Sequence, residues 1–189
     1  MRPVIVQEFV SLDGVMQAPV DEGEFPGGGW QQPFVGHDHM ALMVEQMREA
    51  DALLLGRTTY EMFAATWPTR HDDAGLADRM NEIPKYVAST TLHEVSWNAT
   101  LLTGDVALAV ATLKEQPGRG LVLVGSRTLA HFLHQHDLVD EYRLWFHPVI
   151  LGSGLRLFDE GLNADAWNLF DVTSTGEGVV VAIYRHRPR

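Results

Sequence analysis

The sequence predicts an α/β fold: a mostly parallel central sheet with helices on both faces and a C-terminal antiparallel hairpin. Two observations carry the prediction. Through the first two-thirds of the chain, short β-rich apolar runs alternate with segments whose apolar residues recur at i, i+3, i+4 and i+7. In the last third two β-rich runs flank Gly176-Glu177-Gly178, a hairpin signal. With 189 residues and no repeat, linker or composition break, residues 1–189 are expected to form one domain.

Val4 to Val10 is bounded by Pro3 and the turn signal Ser11-Leu12-Asp13-Gly14, and reads as a strand. Residues 18–36 carry three prolines and five glycines and read as a long loop, either a variable surface loop or a functional one. Met40, Met43, Val44 and Met47 mark an amphipathic helix, with these side chains on its core face. Ala52 to Leu55 suits a buried strand feeding a turn at Gly56, and Thr58 to Thr66 a helix stopped before Pro68. Residues 68–84 are polar and mixed, and Lys85 to Ser89 is a further short strand. Asp105 is the N-cap of a helix that places Val106, Ala109, Val110 and Leu113 on one face and ends at Pro117-Gly118. Leu121 to Val124 is a buried strand followed by a helix over 127–136. Strands over 142–150, 167–175 and 179–186 complete the chain.

Composition removes several classes of function. There is no cysteine, so disulfides, thiol nucleophiles and cysteine zinc sites are excluded, and a reducing, cytoplasmic setting is expected. A net charge of −11 argues against a protein that coats nucleic acid. No apolar run approaches the ~20 residues of a membrane span, and no signal-peptide core opens the chain, so no membrane association is expected. Asn98-Ala99-Thr100 matches a glycosylation acceptor by chance composition.

Two strand-turn-helix junctions can carry chemistry: Leu55-Gly56-Arg57-Thr58-Thr59 and Val124-Gly125-Ser126-Arg127-Thr128. In each, a glycine permits close backbone approach, the amides of a helix start face outward, and arginine followed by a hydroxyl adds anion donors. Each alone is as well explained by a tight turn and a solvated helix start. Together they suit a ligand with separated phosphates, bound where open α/β sheets take ligands, at the carboxyl ends of the strands. No GxGxxG, GxxxxGK[ST], HExxH or GxSxG motif is present. His131 and His134 lie one helical turn apart but lack a third ligand at metal spacing, so no metal site is expected. His37 and His39 lie at the edge of the long loop and could face either substrate or solvent. Asp13 is either a turn former or an acid held at a strand end in a cleft.

Ser11-Leu12-Asp13-Gly14, Gly56-Arg57-Thr58-Thr59-Tyr60-Glu61, Gly125-Ser126, and Asp140-Glu141 with Pro148-Val149-Ile150-Leu151-Gly152-Ser153-Gly154 occur in that order. The series resembles the dihydrofolate reductase-like superfamily, and within it the branch of the riboflavin-biosynthesis reductase domain, from about residue 3 to residue 186. The resemblance implies a dihydrofolate reductase-like fold that binds NADPH across the strand ends. It implies that Gly56, Arg57 and Thr58 serve the adenosine-side phosphates and that Ser89 and Thr90 help hold the 2′-phosphate. Gly125, Ser126, Arg127, Thr128 and Leu129 would line the pyrophosphate and nicotinamide ribose. Asp13 and Gly14 would lie near nicotinamide and substrate, with residues 15–36 as a mobile loop over them. Asp38 would supply a substrate-binding carboxylate.

The sequence departs from folate-reducing members at Ser126, where they carry a second glycine, and around His37-Asp38-His39. Both departures argue against folate, and against the ribosylamino-pyrimidine intermediate of riboflavin synthesis, as substrate. The function implied is hydride transfer from NADPH to a C=N or C=O bond of a small pterin- or pyrimidine-like molecule, with Asp13 orienting the substrate or relaying a proton. The alternative is a non-catalytic nucleotide- or flavin-binding protein on the same fold. A homodimer, paired through the hairpin of residues 167–186, is the partner the resemblance implies.

Overall fold

Leu53, Leu54 and Leu55, and Leu121, Val122 and Leu123, are consecutive and every one of them is 0% exposed. Successive strand side chains point to opposite faces, so unbroken burial requires cover on both faces of the sheet. Each such leucine contributes roughly 1.5–3 kcal/mol by leaving water. The computed structural model describes residues 1–20, 23, 25–72 and 74–186. Its strands are β1 (Val4–Ser11), β2 (Ala52–Gly56), β3 (Lys85–Ala88), β4 (Ala99–Leu102), β5 (Leu121–Val124), β6 (Glu141–His147), β7 (Trp167–Ser174) and β8 (Val180–His186). The helices are α1 (His37–Arg48), α2 (Arg57–Thr66), α3 (Leu76–Glu82), α4 (Val106–Glu115) and α5 (Arg127–Gln135). The strand order is β4-β3-β2-β5-β1-β6-β8-β7. It is the expected α/β fold with a mostly parallel sheet and a C-terminal antiparallel hairpin.

The chain divides into two compact units, with β1 and α1 contributing to both. Unit 1 comprises Met1–Val6 and Met43–Asp140, and unit 2 comprises Gln7–Leu42 and Glu141–Arg189. In unit 1, β2 pairs in parallel with β3 and with β5, and β3 with β4. Two of its elements lie where the sequence pattern is weak. Helix α3 sits in the polar stretch 68–84; it buries Leu76, Ala77 and Met80. The Asp72 carboxylate starts it by accepting from the Leu76 and Ala77 amides at 3.0 and 2.6 Å. Strand β4 is a four-residue edge strand with only Leu102 fully buried, too short to show a pattern. Lys85, at the start of β3, is 0% exposed. Its Nζ donates to the Asn81 carbonyl at 3.1 Å and lies 3.9 Å above the Trp97 ring, and burial lowers its pKa to about 8.

In unit 2, β8 pairs antiparallel with both β6 and β7, and the β7 ladder slips by one residue between Leu169 and Asp171. The two ends of the long loop are tied to each other. Its neck is closed by Trp30 Nε1 donating to the Gln17 carbonyl at 2.7 Å, and by backbone bonds from Gly29 to Ala18 and from Gln31 to Pro19. This is an Ω-loop whose Trp30 is buried. Residues 21, 22 and 24 of the loop lie outside the described residues. Helix α1 also turns a different face inward than its methionine stripe predicts. His39, Gln46 and Met47 are buried, while Met40, Met43 and Val44 are half-buried.

Candidate functional site

The two junctions picked out in the sequence are joined in unit 1. The Ser126 hydroxyl accepts from the Gly56 amide at 2.7 Å and donates to Thr59 Oγ1 at 2.9 Å. A Cβ on Gly56 would stand 3.2 Å from the Ser126 side chain, and one on Gly125 would stand 3.0 Å from Thr59 Oγ1. The glycines therefore bring the two turns together. Ser126 holds the left-handed conformation, φ 62° and ψ 51°. That conformation costs a residue with a Cβ roughly 1–2 kcal/mol, offset here by two hydrogen bonds. The hydroxyl is engaged by the fold, and the Leu129 side chain is buried.

What the junction leaves open are two helix starts. Neither α2, capped by Gly56, nor α5, capped by Ser126, has a side-chain hydrogen bond at its cap. Helix α4 of the same unit does, because Asp105 accepts from the Leu108 amide at 3.1 Å. First-turn amides are donors in search of acceptors, and two such sets with their dipoles favour anions. Arg57 stands at the start of α2, half exposed, held by Glu61 at 3.0 Å and by Thr91 Oγ1 at 2.9 Å. Thr91 Oγ1 lies 3.4 Å from Ser89 Oγ, which accepts from the Thr91 and Leu92 amides. Arg57 and the hydroxyl run after β3 thus form one cluster, and Thr58, Thr90 and Thr128 are exposed. Sequence reasoning missed Thr91; the signal was the unbroken Ser89-Thr90-Thr91 run at a strand end.

Asp13 lies in unit 2, where it binds two separate motif blocks to each other. Its Oδ1 accepts from Ser11 Oγ at 2.7 Å and from the Leu151 amide at 3.1 Å, and its Oδ2 from the Gly152 amide at 2.9 Å. Arg156 Nε donates to its carbonyl at 2.9 Å. The Gly152 turn is thereby fixed against the end of β1. The Ser11 bond first, then the Leu151 amide, hold the Asp13 carboxyl at about 2. A group that acidic is ionised near neutrality and has no proton to give. Of its two expected roles, orienting a substrate and relaying a proton, these bonds suit the first. Gly14 adopts φ 80° with open space around its Cα, and its carbonyl accepts from Leu157.

Asp38, expected to face substrate, is solvent-exposed in the first turn of α1, 3.5 Å from His37. The side chain directed inward from that turn is its neighbour His39, 0% exposed. Its ring lies 5.7 Å from that of His147 and 4.7 Å from that of Trp145. The sequence placed His39 at a loop edge because the helix start was not located to the residue. Among the described residues no group of three or more histidine or acidic side chains is placed to hold a metal. Nor is any helix among them long and apolar enough to cross a membrane.

Two helix starts without side-chain caps thus follow the neighbouring strands β2 and β5. The chain belongs to the RibD C-terminal domain family, whose model matches residues 2–181. It is similar to two uncharacterized proteins of Bacillus subtilis (strain 168). One is YyaP, 27% identical over 188 residues, with 97% of this chain and 94% of that protein covered. The other is YwjB, 24% identical over 178 residues, covering 94% and 95%. Among solved structures it resembles a putative riboflavin biosynthesis protein from Shewanella sp. PV-4, with a TM-score of 0.70, 20% identity, and 98% of this chain and 99% of that one covered. It also resembles a pyrimidine reductase-like protein from Corynebacterium diphtheriae, with a TM-score of 0.69, 13% identity, and 100% and 93% covered. At these identities the structures share the fold.

Proposed function

We propose that the protein is an NADPH-dependent reductase of a small heterocyclic, pterin- or pyrimidine-like substrate. The observation that carries this reading is the pair of uncapped helix starts tied together by Ser126, with Arg57 and the Ser89–Thr91 hydroxyls beside the first. A dinucleotide with an extra 2′-phosphate presents separated anionic groups that match such a set. The amides of Arg57 and Thr58 at one helix start, and of Arg127, Thr128 and Leu129 at the other, would take its bridging phosphates. Gly56 and Gly125 keep those starts close. Arg57, Ser89 and Thr90 would take the 2′-phosphate, with Thr91 fixing the guanidinium. The cofactor, once bound, supplies the hydride. Asp13 would keep the Leu151–Gly152 turn in place around the substrate, and Gly14 leaves room beside it. Asp38, exposed on α1, remains available to a substrate only at its rim.

Thermal shift with NADPH and NADH tests the reading. NADPH should stabilise the protein, and Arg57→Ala should weaken NADPH by roughly 10–100-fold, a charged hydrogen bond being worth ~1.5–3 kcal/mol. NADH should lose much less. Equal losses would place Arg57 away from the 2′-phosphate, and no stabilisation by either nucleotide would remove the cofactor. The absence of cysteine fits a reducing cytoplasm. A homodimer also belongs to this reading. β7 ends the strand order with Leu169, Phe170 and Val172 more than half exposed, an edge that a second copy would cover. Sedimentation velocity reads that state directly.

A further inference from the structure

Unit 2 contains a set of buried polar atoms that none of these roles uses. His39 has no hydrogen-bond partner on either ring nitrogen, and His147 has none on Nε2; both residues are 0% exposed. Glu177 Oε2 is buried and unpartnered as well. The Glu177 carboxylate lies against Gly36, where an added Cβ would collide with it, one residue before α1 begins. It is close enough to His39 to act on its charge. Buried polar groups almost always have partners, so this cluster requires an explanation.

The chemistry of the atoms says what is missing. His147 Nδ1 lies 2.9 Å from the Trp145 carbonyl, which can only accept, so Nδ1 carries the proton. Nε2 is then a bare lone pair. The Val10 carbonyl also accepts from the His147 ring, and the Glu177 carboxylate near His39 adds a further acceptor. A neutral His39 contributes one donor and one acceptor. The cluster therefore holds an excess of acceptors and needs N–H donors from outside. Its walls are aromatic: Phe9, Trp30, Phe34 and Trp145 lie with ring centroids 4.7–5.9 Å from one or other imidazole. Aromatic faces around acceptors favour an ammonium group.

The neck of the Ω-loop packs on the cluster through Trp30. Trp30 meets His147 edge-on at 5.1 Å, and the loop neck is closed by only three hydrogen bonds between residues 17–19 and 29–31. Leu155 and Gln17 tie the base of that neck to the turn Asp13 fixes. Lifting the neck withdraws an aromatic ring from the imidazoles, and a ligand bearing a ring can replace it.

We propose that His39, His147 and Glu177 form a binding site for an organic amine, gated by Trp30. Calling that amine the substrate rests on the reductase reading; the site itself does not.

Benzylamine, with benzyl alcohol as the uncharged control, is the probe. In ¹⁵N-histidine NMR of the whole protein, benzylamine should shift the His147 Nε2 resonance in the direction of an accepted hydrogen bond and perturb Trp30 fluorescence. Benzyl alcohol should do so much more weakly. His147→Phe should weaken benzylamine about tenfold or more, and His147→Gln, which keeps an acceptor, should recover most of it. An unchanged His147 resonance in the wild-type protein overturns the proposal even if a variant fails to fold, as does equal binding of amine and alcohol. NADPH thermal shift on the same samples separates the two readings. Amine binding without NADPH stabilisation leaves this site standing and removes the reductase; the reverse removes only the site.

Discussion

In unit 1, the Ser126 hydroxyl has a donor and an acceptor within 3 Å, and the backbone around it accepts left-handed strain to reach them. In unit 2, His39 is fully buried with neither nitrogen partnered. Both regions are polar and both begin at a strand or helix end, yet one spends its side chain on the fold and the other holds it back. The difference is informative about where ligands act. At the junction a ligand would meet backbone amides with Arg57 and the exposed Thr58 and Thr128, while the Ser126 hydroxyl braces the turn. In the histidine cluster the side chains themselves are what a ligand would meet. A proteinaceous brace tolerates no loss of its hydroxyl; a reserved polar group is a cost to stability that only binding offsets.

The largest expected effect tests the brace. Ser126→Val leaves the Gly56 amide without its acceptor and forces a β-branched residue into φ 62°. Together these should cost about 2–5 kcal/mol in urea unfolding, with an unchanged denaturant slope. Ser126→Gly loses the same bonds but relieves the strain, so it should cost distinctly less. If the two substitutions cost the same, the left-handed strain is not what Ser126 is holding, and the contrast with His39 weakens.

A smaller effect tests the reserve. His39 is lowered from 6.5 to about 4, by burial first and His147 second, with Glu177 acting in the opposite direction. The folded protein therefore binds this proton less readily than the unfolded chain does. Stability from this group is fully present above about pH 6.5 and is lost as the pH falls towards 4, by roughly 3 kcal/mol in all at ~1.4 kcal/mol per unit. His147, whose pKa is also lowered, adds to the same slope. His39→Phe should flatten most of it and be as stable as wild type, or up to ~1–2 kcal/mol more so, at neutral pH. Urea midpoints measured every half unit from pH 4 to 7.5 give the comparison. A variant that keeps the full slope would show that His39 is not the group that resists protonation. Asp13 acts in a separate, lower window: its depressed carboxyl contributes stability above about pH 4 that is lost as pH falls towards 2.

Much of this contrast could be read from residues, and the part that could not has a physical cause. Strands β2 and β5 were legible because four apolar residues in a row cannot be satisfied except between covered faces. The two junctions were legible because glycine, arginine and a hydroxyl recur at the same place after a strand. Asp13 stood out, but most of its partners did not: Ser11 is two residues away, while the amides of Leu151 and Gly152 come from 138 and 139 residues away. The histidine cluster was hidden for the same reason, with an added one. Its members come from α1, β6 and a hairpin turn, and a one-residue error in the start of α1 exchanges exposed Asp38 for buried His39. Helix α3 was missed because its start depends on Asp72, a side chain four and five residues before the amides it takes.

The smallest effect isolates what is special about the open helix starts. Helix α4 lies in the same unit as α2 and α5, is as long, and differs in having Asp105 on its first-turn amides. Asp105→Ala should cost about 1 kcal/mol, the usual value of a lost cap, because the Leu108 amide is exposed and water replaces the carboxylate. NADPH stabilisation should not change, since the α4 start carries no arginine and no neighbouring hydroxyl cluster. A gain in anion binding after Asp105→Ala would mean that any uncapped helix start in this unit suffices. The anion binding proposed for the junction would then rest on dipoles alone and not on Arg57 and the turn that Ser126 ties together.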